Sequence, residues 1–148
     1  MSLRAEGSDR QAAALQAGVC EAATRLTATY TSERRQFDTP IATFQAVAHR
    51  MADAYIDTEA IRLTAWQAVW RLEHGRPAST QVATAKFWAS EGSNRVIAAA
   101  HHLHGGMGVD RDYPLHRYTF LCRQIEFALG SATPSLARLG KELAGTPS

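Results

Sequence analysis

No stretch of the chain is apolar for long enough to cross a bilayer, and no charged-then-apolar leader opens it. The expectation is a cytoplasmic protein that does not span a membrane. Cysteine is scarce: Cys20 and Cys122 stand far apart, without metal-ligand spacing, so neither a disulfide framework nor a cysteine metal site is expected. Reduced thiols are the default. A net charge of +2 with no dense basic stripe excludes nucleic acid as the partner. No segment alternates as a strand does, no internal repeat is present, and no nucleophile elbow supports Ser-His-Asp chemistry.

What is there is helical. Hydrophobic residues at 45% and charged residues at 20% are ordinary for a globular domain, and 148 residues suffice for one with its own core. Met1-Ser2-Leu3 reads as a vector-derived start, so residues 1–8 are set apart, disordered, from a domain over 9–148. From Asp9 to Glu33, Leu15, Val19, Ala22, Leu26 and Tyr30 recur at helical spacing, with Ser8 or Asp9 as the cap. The run Glu33–Pro40 makes a corner, and Thr39-Pro40 opens a second helix lasting to His74. One stripe there runs through Phe44, Val47, Met51, Tyr55, Thr58, Arg62, Ala65, Val69 and Leu72. A second holds Ile56, Leu63, Trp66 and Trp70, which predicts cover on more than one side. Trp66, Trp70 and Trp88 read as packing residues.

Gly75–Ser79 is a loop, and an alanine-rich third helix runs from Ser79 to His104. A fourth spans Pro114 to Leu129, and Thr133-Pro134 starts a short fifth carrying Leu136, Leu139 and Leu143. The terminal Gly-Thr-Pro-Ser reads as frayed. The fold expected is all-α, an antiparallel up-and-down four-helix bundle without a sheet.

Two places carry candidate chemistry. At the first corner, Arg34 and Arg35 either complement a helix C-terminus or form an anion site with the amides of the next helix; spacing alone favours the first. The second is Ala98–Pro114, where a helix ends in His101-His102-Leu103-His104-Gly105-Gly106 and restarts at Tyr113-Pro114. The double glycine permits a left-handed helix end and close approach of another backbone or a phosphate. A dinucleotide fingerprint fits poorly, since these glycines follow a helix rather than a strand. His101, His102 and His104, with Asp110 and Asp112 beyond, lack converging geometry because adjacent helical side chains point apart, so no metal site is expected and a dipole role is favoured.

The two places together resemble the C-terminal domain of the flavin-dependent acyl-CoA dehydrogenases. Tyr30, Arg34, Gln36-Phe37, Pro40-Ile41 and Phe44-Gln45, followed by Gly105-Gly106 and Tyr113-Pro114, repeat that family's motifs in order over about Asp9 to Leu143. The resemblance implies a helical bundle that contacts FAD bound mainly by a neighbouring subunit, in a homo-oligomer or a mixed oligomer with a catalytic subunit handling acyl-CoA. It implies that Arg34 holds the FAD pyrophosphate, that Gln36 and Phe37 lie along the cofactor, and that Ile41 and Gln45 lie near its adenosine half. His102 stands for the usual glutamine ahead of Gly105 and Gly106, and Asp38 for the glycine after Phe37, which implies a different backbone there.

The family's usual catalytic glutamate falls on Leu129, followed by Gly130-Ser131, and its usual arginine-aspartate pair upstream falls on Phe120-Leu121. A second family branch places its base near the start of the first helix, here around Ser8, with Glu6 and Asp9 nearby but out of register. No catalytic residue is therefore expected in this chain. Typical members also carry an N-terminal helical domain and a middle β-domain, neither represented in these residues, so this chain is not expected to turn over substrate alone. The alternative is a helical interaction or structural module that has lost flavin binding.

Overall fold

The computed structural model describes residues 3–145. Its helices are α1 (Leu3–Glu33), α2 (Gln45–Glu73), α3 (Ser79–His104), α4 (Leu115–Leu129) and α5 (Ala132–Ala144). The first four form the expected antiparallel bundle, and α5 packs mainly on α3. Short 3₁₀ turns at Ile41–Thr43 and Gly105–Val109 follow the corner and the glycine pair. None of the helices among the described residues is long and apolar enough to cross a membrane.

Boundaries set by loop chemistry fall where expected. The Gly75–Ala78 loop precedes α3, and Gly130, left-handed at φ +81°, ends α4. The start does not: α1 begins at Leu3, continuing through Ser8 and Asp9 rather than being capped by them. Met1 and Ser2 lie outside the described residues, as do Thr146, Pro147 and Ser148 of the expected frayed end. The second helix also starts late. Thr39 and Pro40 belong instead to a ribbon of two-residue strands, β1 (Arg35–Gln36) and β2 (Thr39–Pro40), pairing Arg35 with Pro40 and Gln36 with Thr39. Such short strands are too brief for any alternation to register in the sequence.

The core is built of small side chains around α3. Ala85, Ala89, Val96, Ile97 and Ala100 of α3 meet Ala13, Cys20 and Ala23 of α1, Ile61, Ala65 and Ala68 of α2, and Leu115, Cys122 and Ile125 of α4. The buried face of α1 is rotated from the expected one. Leu15 is exposed, while Gln16, Cys20, Thr27 and Thr31 are buried. Partners offset most of the polarity: Gln16 Nε2 donates to the Cys122 carbonyl at 3.3 Å and approaches its Sγ at 3.1 Å, although Gln16 Oε1 has no partner among the described residues, and Thr27 Oγ1 donates to the Ala23 carbonyl at 2.7 Å. Burial pushes both thiols above the usual cysteine range.

The second stripe of α2 is not covered among the described residues. Ile56, Leu63, Trp66 and Trp70 are all exposed, so Trp66 and Trp70 are not core residues, whereas Trp88 packs against the core. Trp70 instead stacks on His74 at 4.6 Å and carries Arg76 over its ring at 5.2 Å. Leu136 and Leu143 of α5 are likewise exposed.

Candidate functional site

The corner after α1 reverses within two residues. Phe37 and Asp38, between the paired strands, both have positive φ, +52° and +61°. Two consecutive left-handed residues are the mark of a type I′ hairpin, whose twist suits the flanking strands. Aspartate tolerates this region better than most residues, and a phenylalanine there is unusual. Asp38 therefore holds a left-handed φ of the kind a glycine adopts freely. Phe37 is left 91% exposed, with the edge of Phe44 against it at 6.5 Å between centroids.

The hairpin also separates the two arginines. Arg35 turns its guanidinium onto the Asp38 carbonyl and so closes its own turn. Arg34 is exposed, its backbone carbonyl taking the Ile41 amide at 2.8 Å, and its guanidinium has no partner among the described residues. Gln36 and Gln45 are exposed and Ile41 half-buried on the same segment. The start of α2, at Gln45, has no side-chain cap, but the ribbon and 3₁₀ turn stand between it and Arg34. The amides expected directly after the arginines are thus displaced along the chain.

At the second place, α3 ends on His104, and Gly105 takes φ +57° with ψ −133°, which an L side chain rarely adopts. Apart from the glycines' own chain neighbours and adjoining helical backbone, no heavy atom of the described residues lies within 4 Å of where a Cβ would stand on Gly105 or on Gly106, so this backbone is open to approach. The three histidines diverge. His101 Nε2 bonds Thr119 Oγ1 at 2.7 Å, His102 is exposed, and His104 is buried. Burial holds the His101 and His104 imidazoles below the usual histidine range, with His101 adding to the effect on His104. Among the described residues no three His, Cys, Asp or Glu side chains gather as a metal site.

Tyr30, Tyr113 and His104 join the two places. Tyr30, one turn before Arg34, stacks on the His104 ring at 4.3 Å and donates its hydroxyl to the His104 carbonyl at 3.4 Å. The His104 ring bonds the Ala100 carbonyl through Nδ1 at 2.8 Å and the Tyr113 hydroxyl through Nε2 at 2.9 Å. A carbonyl only accepts, so Nδ1 carries the proton and Nε2 accepts from Tyr113. Sequence reading used Tyr113 only as a landmark and His104 only as one of a cluster. The available signal was position: His104 directly precedes the glycines and Tyr30 lies four residues before Arg34.

Lys86 links the two places considered for a base. Leu129 is fully buried and lines a cavity of about 190 Å³ with Lys86, Ser135 and Arg138. Lys86 Nζ pairs with Asp9 Oδ2 at 3.0 Å, both side chains largely buried. Ser8 is exposed, and the Glu6 side chain lies outside the described ones.

Residues 8–143 match the family model of the acyl-CoA dehydrogenase C-terminal domain. The chain belongs to the acyl-CoA dehydrogenase family. It is 51% identical to acyl-CoA dehydrogenase FadE27 of Mycobacterium tuberculosis, covering 90% of this chain and 38% of that protein. It is 37% identical to FadE28 of the same organism, covering 83% of this chain and 36% of that one. A chain in the crystal structure of the ChsE4-ChsE5 complex from Mycobacterium tuberculosis superposes with a TM-score of 0.93 at 50% identity, covering 97% of this chain and 39% of that one. A chain of the Tcur3481-Tcur3483 steroid ACAD G363A variant gives 0.89 at 46% identity, covering 94% and 38%. The chain thus spans a little over a third of these acyl-CoA dehydrogenase relatives and corresponds to their C-terminal domain.

Proposed function

We propose that this domain supplies a flavin-contacting and assembly-forming surface to an acyl-CoA dehydrogenase-like oxidoreductase and brings no catalytic base of its own. The observation that carries the reading is an exposed Arg34, its guanidinium without a partner among the described residues, on the same corner as exposed Phe37 and tied through Tyr30 and His104 to the open backbone of Gly105 and Gly106. An unpaired arginine fork suits a diphosphate, an exposed ring suits a flat heterocycle, and bare glycine backbone admits close approach. FAD bound mainly by a neighbouring subunit meets all three. Arg34 would pair with its pyrophosphate, with Gly105, Gly106 and His102 alongside. Gln36 and Phe37 would lie along the cofactor, and Ile41 and Gln45 near its adenosine half. When bound, FAD supplies a hydride acceptor for α,β-dehydrogenation of an acyl-CoA thioester.

Abstraction of the α-proton needs a carboxylate within reach of the substrate carbon. Leu129 offers none, and the Asp9 carboxylate is occupied by Lys86. On this reading the base comes from outside these residues, and we assign it to a partner subunit in a mixed cytoplasmic oligomer with fewer competent sites than chains. That a relative was crystallised as a ChsE4-ChsE5 complex supports the mixed assembly.

The test is a flavin titration of the oligomer containing this chain, wild type against Arg34→Ala. Losing one charge-assisted bond weakens FAD by about ten- to a hundredfold. Unchanged affinity overturns the assignment. A second reading, a helical interaction module that has lost flavin, is favoured by the bare apolar stripe Ile56, Leu63, Trp66 and Trp70 on α2. An oligomer that assembles with no flavin absorbance and no FAD uptake would select it.

A further inference from the structure

His104 sits at an unusual junction. It is the last residue of α3, immediately before the glycine whose backbone departs from helical geometry, and it is gripped by two other segments. Tyr30 of α1 covers its ring face and bonds its carbonyl, while Tyr113, from the segment entering α4, donates to its Nε2. The two tyrosines also meet edge to face, with centroids 6.2 Å apart. The His104 carbonyl and the Gly105 amide belong to one rigid peptide plane, so a grip on that carbonyl fixes the direction in which the glycine turn begins. Tyr30 lies one helical turn from Arg34, and its own carbonyl accepts the Arg34 amide at 2.8 Å. The path from the Tyr113 hydroxyl to the arginine corner is therefore contiguous: hydroxyl, imidazole, stacked phenol, backbone amide.

We propose that His104 is a positioning residue that, with Tyr30 and Tyr113, locks the glycine turn to the arginine corner so that both move as one ligand-facing edge. The ligand meant is the diphosphate of the flavin, so the purpose of the lock rests on the reading above; the lock itself is a property of the apo chain. Neutral His104 is suited to it. Its Nδ1–H is committed to Ala100, which leaves Nε2 as an acceptor for the Tyr113 hydroxyl. The arrangement needs all three groups, because a Phe at either tyrosine keeps the ring and loses the bond.

Hydrogen exchange and imidazole nitrogen shifts, followed by NMR on the 148-residue chain, test the proposal. In the wild type the His104 nitrogens should report the Nδ1–H form with Nε2 hydrogen-bonded. Tyr113→Phe should move the Nε2 signal and accelerate exchange by roughly fivefold or more at Gly105 and Gly106 and, across the aromatic contact, at Arg34 and Ile41. Mid-helix amides of Ala65 and Ala89 should keep their rates. Tyr30→Phe should act on the same set. Acceleration everywhere would show general destabilisation and overturn the proposal, as would changes confined to the glycine turn with the corner unmoved. Those results leave the Arg34 assignment standing, whereas FAD retained by Arg34→Ala overturns that assignment and leaves the lock intact.

Discussion

Ile61 of α2 lies over the bare backbone of Gly92 in α3, so closely that a Cβ on Gly92 would stand 3.2 Å from Ile61 Cγ1 and 3.3 Å from its Cδ1. Both residues are buried, and the contact sets how near the two longest-packed helices approach. Ile61→Ala opens a cavity and should cost about 2–5 kcal/mol. Gly92→Ala gains roughly 1 kcal/mol of helix propensity but crowds Ile61, at a cost of about 1–3 kcal/mol. The double variant should be more stable than the sum of the single effects, since the new methyl enters the space Ile61 leaves. Urea denaturation of the four proteins checks this, and strict additivity would contradict it.

Asp57 and Arg95 tie α2 to α3 by two parallel bonds, Nε to Oδ2 at 2.8 Å and Nη2 to Oδ1 at 2.7 Å. Asp57 is buried, whereas the Arg95 side chain is 45% exposed and lies over Trp88 at 5.6 Å. Arg95→Ala strands the carboxylate and should cost about 2 kcal/mol, moderated by water at the open side. Arg95→Lys should recover only part, because an ammonium cannot make both bonds in that plane. Denaturation midpoints order the three proteins: wild type, lysine, alanine.

Stability should fall as the solution is acidified through the histidine range. The His101 and His104 pKa values are lowered in the folded chain, chiefly by burial. The unfolded state therefore binds protons first, and stability rises with pH across that window. The contribution is complete above the unfolded value, about 6.5, and is lost as pH drops through the folded values. Unfolding free energies at pH 7.5 and pH 5.5 measure it, and His104→Gln should flatten the difference. A profile that rises on acidification would carry the wrong sign.

Helix number, loop positions and the bundle class were legible because they rest on local chemistry: Gly75 and Pro77 around one loop, Gly105 and Gly130 at helix ends. The inward face of α1 was not, since Gln16, Thr27 and Thr31 are buried through partners that hydropathy cannot see. Nor was the bareness of α2. Ile56 and Trp66 carry the pattern of buried residues, and periodicity does not say which surface would bury them. At the site, the wording around Arg34 and Gly105 was enough to mark both motifs. Their union was not readable, because Tyr30, His104 and Tyr113 are separated by long stretches of chain and meet only after the bundle closes. Spacing alone did not separate Arg35 from Arg34; the resemblance singled out Arg34, and the hairpin turns Arg35 onto the Asp38 carbonyl.

Where α3 runs also decides where the chain has freedom to drift. It touches every other helix, and it does so through alanine, glycine and serine, with Ala85, Ala89, Ser90, Gly92, Ser93 and Ala100 all buried. Side chains this small leave helix axes close and no slack between them. The outer helices can exchange one exposed residue for another at little expense. Along α3, each added methylene must push several neighbours at once. Accepted substitutions should therefore be distributed unevenly, dense on the solvent faces of α1, α2 and α5 and nearly confined to size-preserving swaps on the axis between them.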